Sequence, residues 1–254
     1  DDAFATVALG AAETALEPTI YEPDEARDLL QLAVERAEDV TVRRRVMLQL
    51  ALVMAWHLDK PVDAQPMLEQ LLQDVDDKAM RRQCLIALGD AALLANDLRE
   101  AHRRFEMARD LDNRSINQAE EMAKKGGYPY TVEDLLGRGE YDWALKSIDE
   151  WERMFPTQKL EGYSFFLRGK TLFVQKPSRL AVRYLELAER VDPYAIHVSE
   201  AVWLRANCLM AIGEYEQAAI QFARIRDSFT HSRFFEQAME KFKQCQQHIA
   251  NSPS

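Results

Sequence analysis

Five histidines (His57, His102, His197, His231 and His248), three cysteines (Cys84, Cys208 and Cys245) and 42 acidic side chains are the groups in this 254-residue chain that could hold a metal or attack a substrate. A zinc site on one helix needs an HxxxH or HExxH pair, which stacks two imidazoles a turn apart, and no two histidines here keep that spacing. They read as surface or partly packed residues. The cysteines are far apart, odd in number and without a CxxC, so neither a disulfide framework nor a zinc site is expected; Cys84 and Cys208 read as small buried apolar residues. Acidic neighbours such as Asp76 and Asp77, or Glu120 and Glu121, point about 100° apart on a helix, the geometry of a solvated face rather than of a paired acid and base. There is no GxSxG elbow, phosphate loop or dinucleotide fingerprint, and the "GRG" at Gly137 to Gly139 follows no strand. The sequence predicts no catalytic residue, no metal and no cofactor, hence a protein that is not an enzyme.

Binding is the remaining class of function, and charge narrows it. The formal net charge is −10, whereas a nucleic-acid binder needs surplus lysine and arginine to neutralise phosphates, so no nucleic-acid partner is expected. The clusters at Arg43 to Arg45 and at Lys124 and Lys125 read as solvated helix faces. The longest apolar run, Leu50 to Trp56, is far short of the roughly 20 residues that span a bilayer. The chain opens "DDAFATVALG", which reads as a processed or trimmed N-terminus and leaves the compartment open.

The elements that would carry a binding surface show themselves as a repeat. "GEYDWA" at Gly139 to Ala144 returns as "GEYEQA" at Gly213 to Ala218, and each closing alanine is followed by apolar residues at +4 and +7, one face of a helix. The same register fits Ala26, Ala64, Ala101 and Ala181, so the six anchors are spaced by 38, 37, 43, 37 and 37 residues. A companion helix precedes each anchor helix, as in "CLIALGDAALLA", "FFLRGKTLF" and "VWLRANCLMAI". Between the two lies a turn: Gly139, Gly213, "NDL" at Asn96 to Leu98, or "KPS" at Lys176 to Ser178. A small residue twelve positions before the anchor (Gly89, Gly169 or Ala206) lets the two helices cross closely, with the anchor alanine expected on the other side of the contact.

These positions resemble the tetratricopeptide repeat. Leu88, Gly89, Ala101, Phe105 and Ala108 carry the pattern in one unit; Phe165, Gly169, Ala181, Leu185, Ala188 and Pro193 carry it in another. The fourth unit keeps Gly139, Tyr141, Ala144 and Pro156, and the sixth keeps Gly213, Tyr215, Ala218 and Phe222. Phe155 and Phe229, each eleven residues after an anchor, are similar to the variant found in envelope-associated bacterial repeat proteins of the outer-membrane assembly lipoprotein and TolA-binding type, although Thr230 stands where that variant has proline. The resemblance implies an all-α, right-handed α-α superhelix of about six helix pairs plus a C-terminal capping helix. The expected organisation is three pairs in 1–112, three more in 113–231 with an insertion at 113–130, and a cap with its tail in 232–254. The stripe Phe234, Phe235, Ala238, Met239, Phe242, Cys245 and Ile249 would seal the last apolar face.

What the resemblance implies for function is a non-enzymatic scaffold that holds a protein or peptide partner in the groove lined by the first helix of each pair. In that register the groove positions are Tyr163, Phe166, Lys170 and Phe173, then Glu200, Trp203, Asn207 and Met210. Aromatic rings would supply contact area, and the ammonium and amide would satisfy a peptide's polar groups; alternatively Phe166, Phe173 and Trp203 are packed between units. The chaperone-tail clamp of some family members needs Lys and Asn where this chain has Gln49, Ile86, Phe166 and Trp203, so that partner is not expected. A periplasmic or envelope location is preferred over a cytoplasmic one. The second expectation is a structural spacer or self-association module, including a homo-oligomer.

Overall fold

A computed structural model describes residues 1–17, 20–112 and 127–251. These form two compact units, Asp1–Ile116 and Asn117–Ser254, and among the described residues all regular structure is helical. The first unit holds α1 (Asp2–Ala15), α2 (Pro23–Arg36), α3 (Val40–Trp56), α4 (Pro61–Asp74), α5 (Lys78–Leu94) and α6 (Leu98–Asp110). The second holds α7 (Gly127–Gly137), α8 (Tyr141–Met154), a 3-10 segment (Pro156–Glu161), α9 (Tyr163–Gln175), α10 (Arg179–Val191), α11 (Val198–Ala211), α12 (Tyr215–Ser228) and α13 (Phe235–Asn251). Most of the anticipated insertion, including Asn113, Glu120, Glu121, Lys124, Lys125 and Gly126, lies outside the described residues. Its end is described: α7 opens with Gly127 at φ +74° and has Pro129 in its first turn, where a missing N–H would have found no helical partner anyway.

The repeat register is the core. All six anchors, Ala26, Ala64, Ala101, Ala144, Ala181 and Ala218, are fully buried. So are the residues at +4 (Leu30, Leu68, Phe105, Ile148, Leu185 and Phe222) and at +7 (Ala33, Leu71, Ala108, Trp151, Ala188 and Ile225), none more than 3% exposed. Each second helix turns this stripe inward and carries its charged residues on the rest of its circumference, among a few further apolar ones such as Leu187 and Trp143. That is why helices with a modest mean hydropathy still hold a continuous apolar seam.

The turns repeat as well. Tyr21, Asp59, Asn96, Gly139 and Gly213 all have φ between +50° and +84°, and each stands five residues before its anchor. A left-handed residue there lets the following N–H reach back to the end of the preceding helix, as Asp97 does to Ala92, Glu140 to Leu135 and Glu214 to Leu209, at 2.8–2.9 Å. The fifth unit departs from this. Lys176 is extended, and the Ser178 hydroxyl caps α10 by accepting from the Ala181 N–H at 3.3 Å. Phe155 and Phe229 end their helices in nearly the same conformation, φ −126° and −129°, with N–H groups donating to Trp151 and Ile225.

Gly89 and Gly169 do mark close crossings, but the partner differs from the one expected. A Cβ on Gly89 would lie 2.4 Å from the Phe105 ring, and one on Gly169 would lie 2.7 Å from Leu185 Cγ. The residue four beyond the anchor, not the anchor alanine itself, supplies the other side. A long side chain reaches back over the turn before it, so its bulk arrives where the alanine's Cβ ends.

Within each unit successive helices pack on one another, and the first helices of the pairs also touch: α1 with α3 and α3 with α5, then α7 with α9 and α9 with α11. Among the described residues the second helices make no comparable approach to each other. The pairs are therefore close along the row of first helices and splayed along the row of second helices. At the end of the second unit α13 covers α12, burying Ala238 and Cys245 while Glu236, Glu240 and Lys243 stay exposed.

Candidate partner-binding face

The first helices α9 and α11 bring the sequence-derived positions together on adjoining faces. Residues at i, i+3, i+7 and i+10 share one side of a helix, and cross-links confirm that the two sides meet. Lys170 Nζ lies 2.8 Å from Glu200 Oε1, and the other oxygen of Glu200 lies 2.8 Å from Arg233 at the entry to α13. The Tyr163 hydroxyl donates to Glu133 of α7. Burial first, and that carboxylate second, push the Tyr163 phenol well above its ordinary range. A ladder of ionic and hydroxyl contacts thus runs from α7 through α9 and α11 to the start of α13.

The aromatics on this face are more enclosed than an open groove requires. Phe166 is 4% exposed, beneath Tyr163 and His197 at ring-centroid distances of 5.7 and 5.1 Å, so it packs between α9 and α11. Trp203 is half-buried, stacked on Phe234 at 5.2 Å and edge-on to Phe222 at 5.7 Å, with the Lys241 ammonium above it at 5.9 Å. The Asn207 amide donates to the Trp203 carbonyl one turn earlier, at 2.7 Å. Partial exposure remains at Tyr163, Lys170, Phe173, Trp203, Asn207 and Met210. Chemically this face offers a cation and a carboxylate held in register, one amide, and four aromatic or flexible apolar side chains, Tyr163, Phe173, Trp203 and Met210.

His197, read from sequence as a surface or partly packed residue, is 8% exposed in the turn before α11. Its ring lies against Tyr163 and Phe166, and its Nε2 meets no hydrogen-bond partner among the described residues. Burial lowers its pKa, against the opposing pull of Asp192 and Glu200.

A second feature escaped the sequence reading, although its signal was present. Glu152 and Glu189 stand eight residues after their anchors, and Arg168 and Arg205 thirteen before theirs, so both pairs repeat at the 37-residue interval. In the structure each Glu meets the Arg of the next pair: Arg168 to Glu152 at 2.9 Å and Arg205 to Glu189 at 3.0 Å, largely shielded from solvent. Each carboxylate has a further cation. Lys159 of the 3-10 segment lies 3.8 Å from Glu152, and Arg224 of α12 pairs with Glu189. Burial alone would raise the Glu189 carboxyl, and the Arg224 and Arg205 guanidiniums overcome it, so its pKa is lowered.

Cys84, Cys208 and Cys245 are buried free thiols, and burial pushes Cys84 and Cys208 up to about 11, which leaves them as unreactive packing groups. Among the described residues no three His, Cys, Asp or Glu side chains gather as metal ligands, and no helix is long and apolar enough to cross a membrane.

No family model matches the chain, and no curated protein matches it. Among solved structures it is similar to the "TPR2AB-domain:pHSP90-complex of yeast Sti1", at 13% identity and a TM-score of 0.41, over 97% of this chain and 100% of that one.

Proposed function

We propose that the protein is a non-enzymatic scaffold that holds a segment of a protein partner against the row of first helices in its second unit. The observation that carries this reading is the adjoining face of α9 and α11, where Lys170, Phe173, Asn207 and Met210 stay partly exposed around a fixed Lys170–Glu200–Arg233 ladder. Phe166 serves that face from beneath by packing between α9 and α11, Trp203 braces α11 against Phe222 and Phe234, and the partly exposed residues make contact. Preorganised charge flanked by apolar contacts favours orientation and specificity over bulk affinity.

The test is site-specific photo-crosslinking from Phe173 and Met210, with Ile220, which is 52% exposed on α12, as the control position. The expected result is a partner captured from the first two positions, absent from the third, and reduced about tenfold by Lys170→Ala plus Met210→Ala, a loss of roughly 1.4 kcal/mol. Crosslinks to a second copy of the chain instead would support the self-association reading. Residence in a bacterial envelope is the finer form of the proposal and is supported by the Phe155 and Phe229 resemblance alone. Fractionation of the full-length protein from its native cell tests it, a cytoplasmic pool counting against it.

A further inference from the structure

The splay of the second helices leaves a groove between α10 and α12 with a cavity volume of about 620 Å³. On α10 it is lined by Arg179, Val182, Glu186, Glu189 and Arg190, which follow one stripe over the length of the helix. On α12 the lining residues are Gln217, Gln221 and Arg224, again one stripe, and the floor is Arg205 and Leu209 of α11. Four guanidiniums face two carboxylates in a chain whose net charge is −10, so the groove reverses the sign of the molecule around it.

The neighbouring interval shows what such a space accommodates. Between α8 and α10 the 3-10 segment Pro156–Glu161 packs against α8, α9 and α10, and its buried Lys159 is the second cation on Glu152. In the next interval Arg224 already holds that role on Glu189, and no described segment of the chain fills the space. Arg205 at its floor is 6% exposed, and its Nε meets no acceptor among the described residues. Arg179, paired with Glu214, keeps most of its side chain in solvent at one end, and Arg190, 3.8 Å from Glu186, stands at the other.

We propose that this groove is a second docking site, distinct from the first-helix face, and that it takes an extended acidic segment of a partner polypeptide. Its length suits a chain better than a lone anion: a helix of this length measures about 20 Å, room for roughly six residues of extended chain at about 3.3 Å each. Carboxylates on such a segment would join the pairs that Arg179, Arg190 and Arg224 already make with Glu214, Glu186 and Glu189, while Val182 and Leu209 meet its apolar atoms.

The experiment is fluorescence anisotropy of the intact protein with a short labelled peptide of alternating Glu and Ser, its Lys-for-Glu counterpart, and inorganic phosphate as competitor. Arg179→Glu plus Gln217→Glu reverses one charge and adds a second negative charge at two exposed lining positions, leaving the Glu189 ion pairs intact; Gln217→Glu alone preserves the Arg179–Glu214 pair, in case the double variant melts early. The expected result is that the Glu peptide binds, that added salt weakens it, and that the double variant loses tenfold or more with circular dichroism unchanged. Equal affinity for the Lys peptide, equal affinity in both variants, no binding at all, or displacement by phosphate at the peptide's own concentration would each overturn the proposal. Crosslinking from Phe173 and Met210 is untouched by these substitutions, so the two sites fail separately.

Discussion

At the scale of single residues, glycines of the same type are needed for different reasons, and substitution separates them. Gly89→Ala places a methyl 2.4 Å from a Phe105 ring that is itself fully buried, so the crossing of α5 and α6 must open; the expected loss is about 1–3 kcal/mol in urea unfolding. Gly213→Ala meets nothing within 4 Å, and its cost is the left-handed backbone at φ +84°, about 1–2 kcal/mol. A larger replacement should enlarge the first loss and leave the second unchanged. His197 gives a pH dependence of known sign. Its pKa is lowered in the fold by burial against Tyr163 and Phe166, with Asp192 and Glu200 as the opposing charges. The unfolded chain therefore takes up the proton first, near pH 6.5, and stability that is complete above that value falls as the pH drops through it. In the His197→Phe variant this part of the decline between pH 7 and 5 is expected to vanish from the urea midpoint; an unchanged slope would place the titration elsewhere.

At the scale of elements, the repeated Glu–Arg pair joins α8 to α9 and α10 to α11, in each case a second helix to the first helix of the next pair. Glu152→Ala takes the shared carboxylate from Arg168 and Lys159 and leaves Arg168 its exposed partner Asp149, and losing a shielded, charge-assisted contact costs about 1–3 kcal/mol. Asp149, which also pairs with Arg168 but is 65% exposed, should lose under 1 kcal/mol as Asp149→Ala. Thermal melts of both variants check the contrast. The helices themselves were legible because their signals are local: an alanine anchor, apolar residues at +4 and +7, and a reversing residue five positions before. The Glu and Arg spacing was equally periodic but stayed unread, since charges are ordinarily assigned to solvated faces and only the packing of two pairs shows that these are enclosed. The partner of Gly89 was misassigned for a related reason. Spacing places backbones, while contact depends on how far a side chain leans. Phe166 and Trp203 were ambiguous because an inner-row position serves both the seam between pairs and the face above it.

At the scale of each compact unit, the end and the row of pairs were unequally readable. The capping helix was legible as one apolar stripe backed by charge. Deleting 232–254 would uncover Trp203, Phe222 and the α12 seam, and a loss of a few kcal/mol, roughly 5–10 °C in melting temperature, is expected together with concentration-dependent association by light scattering. The groove between α10 and α12 was not legible, because it depends on the angle between pairs and on a segment filling one interval and missing from the next. In the second unit the inner helices are tied one to the next by Tyr163, Lys170, Glu200 and Arg233, whereas α10 and α12 at the rim are linked through long side chains, Arg224 to Glu189 and Arg179 to Glu214, without close approach of their backbones. Slats bound tightly at one edge and loosely at the other open like a fan: a small tilt between neighbours hardly alters the tight edge but widens or narrows the loose one, so whatever wedges into the rim also fixes the tilt.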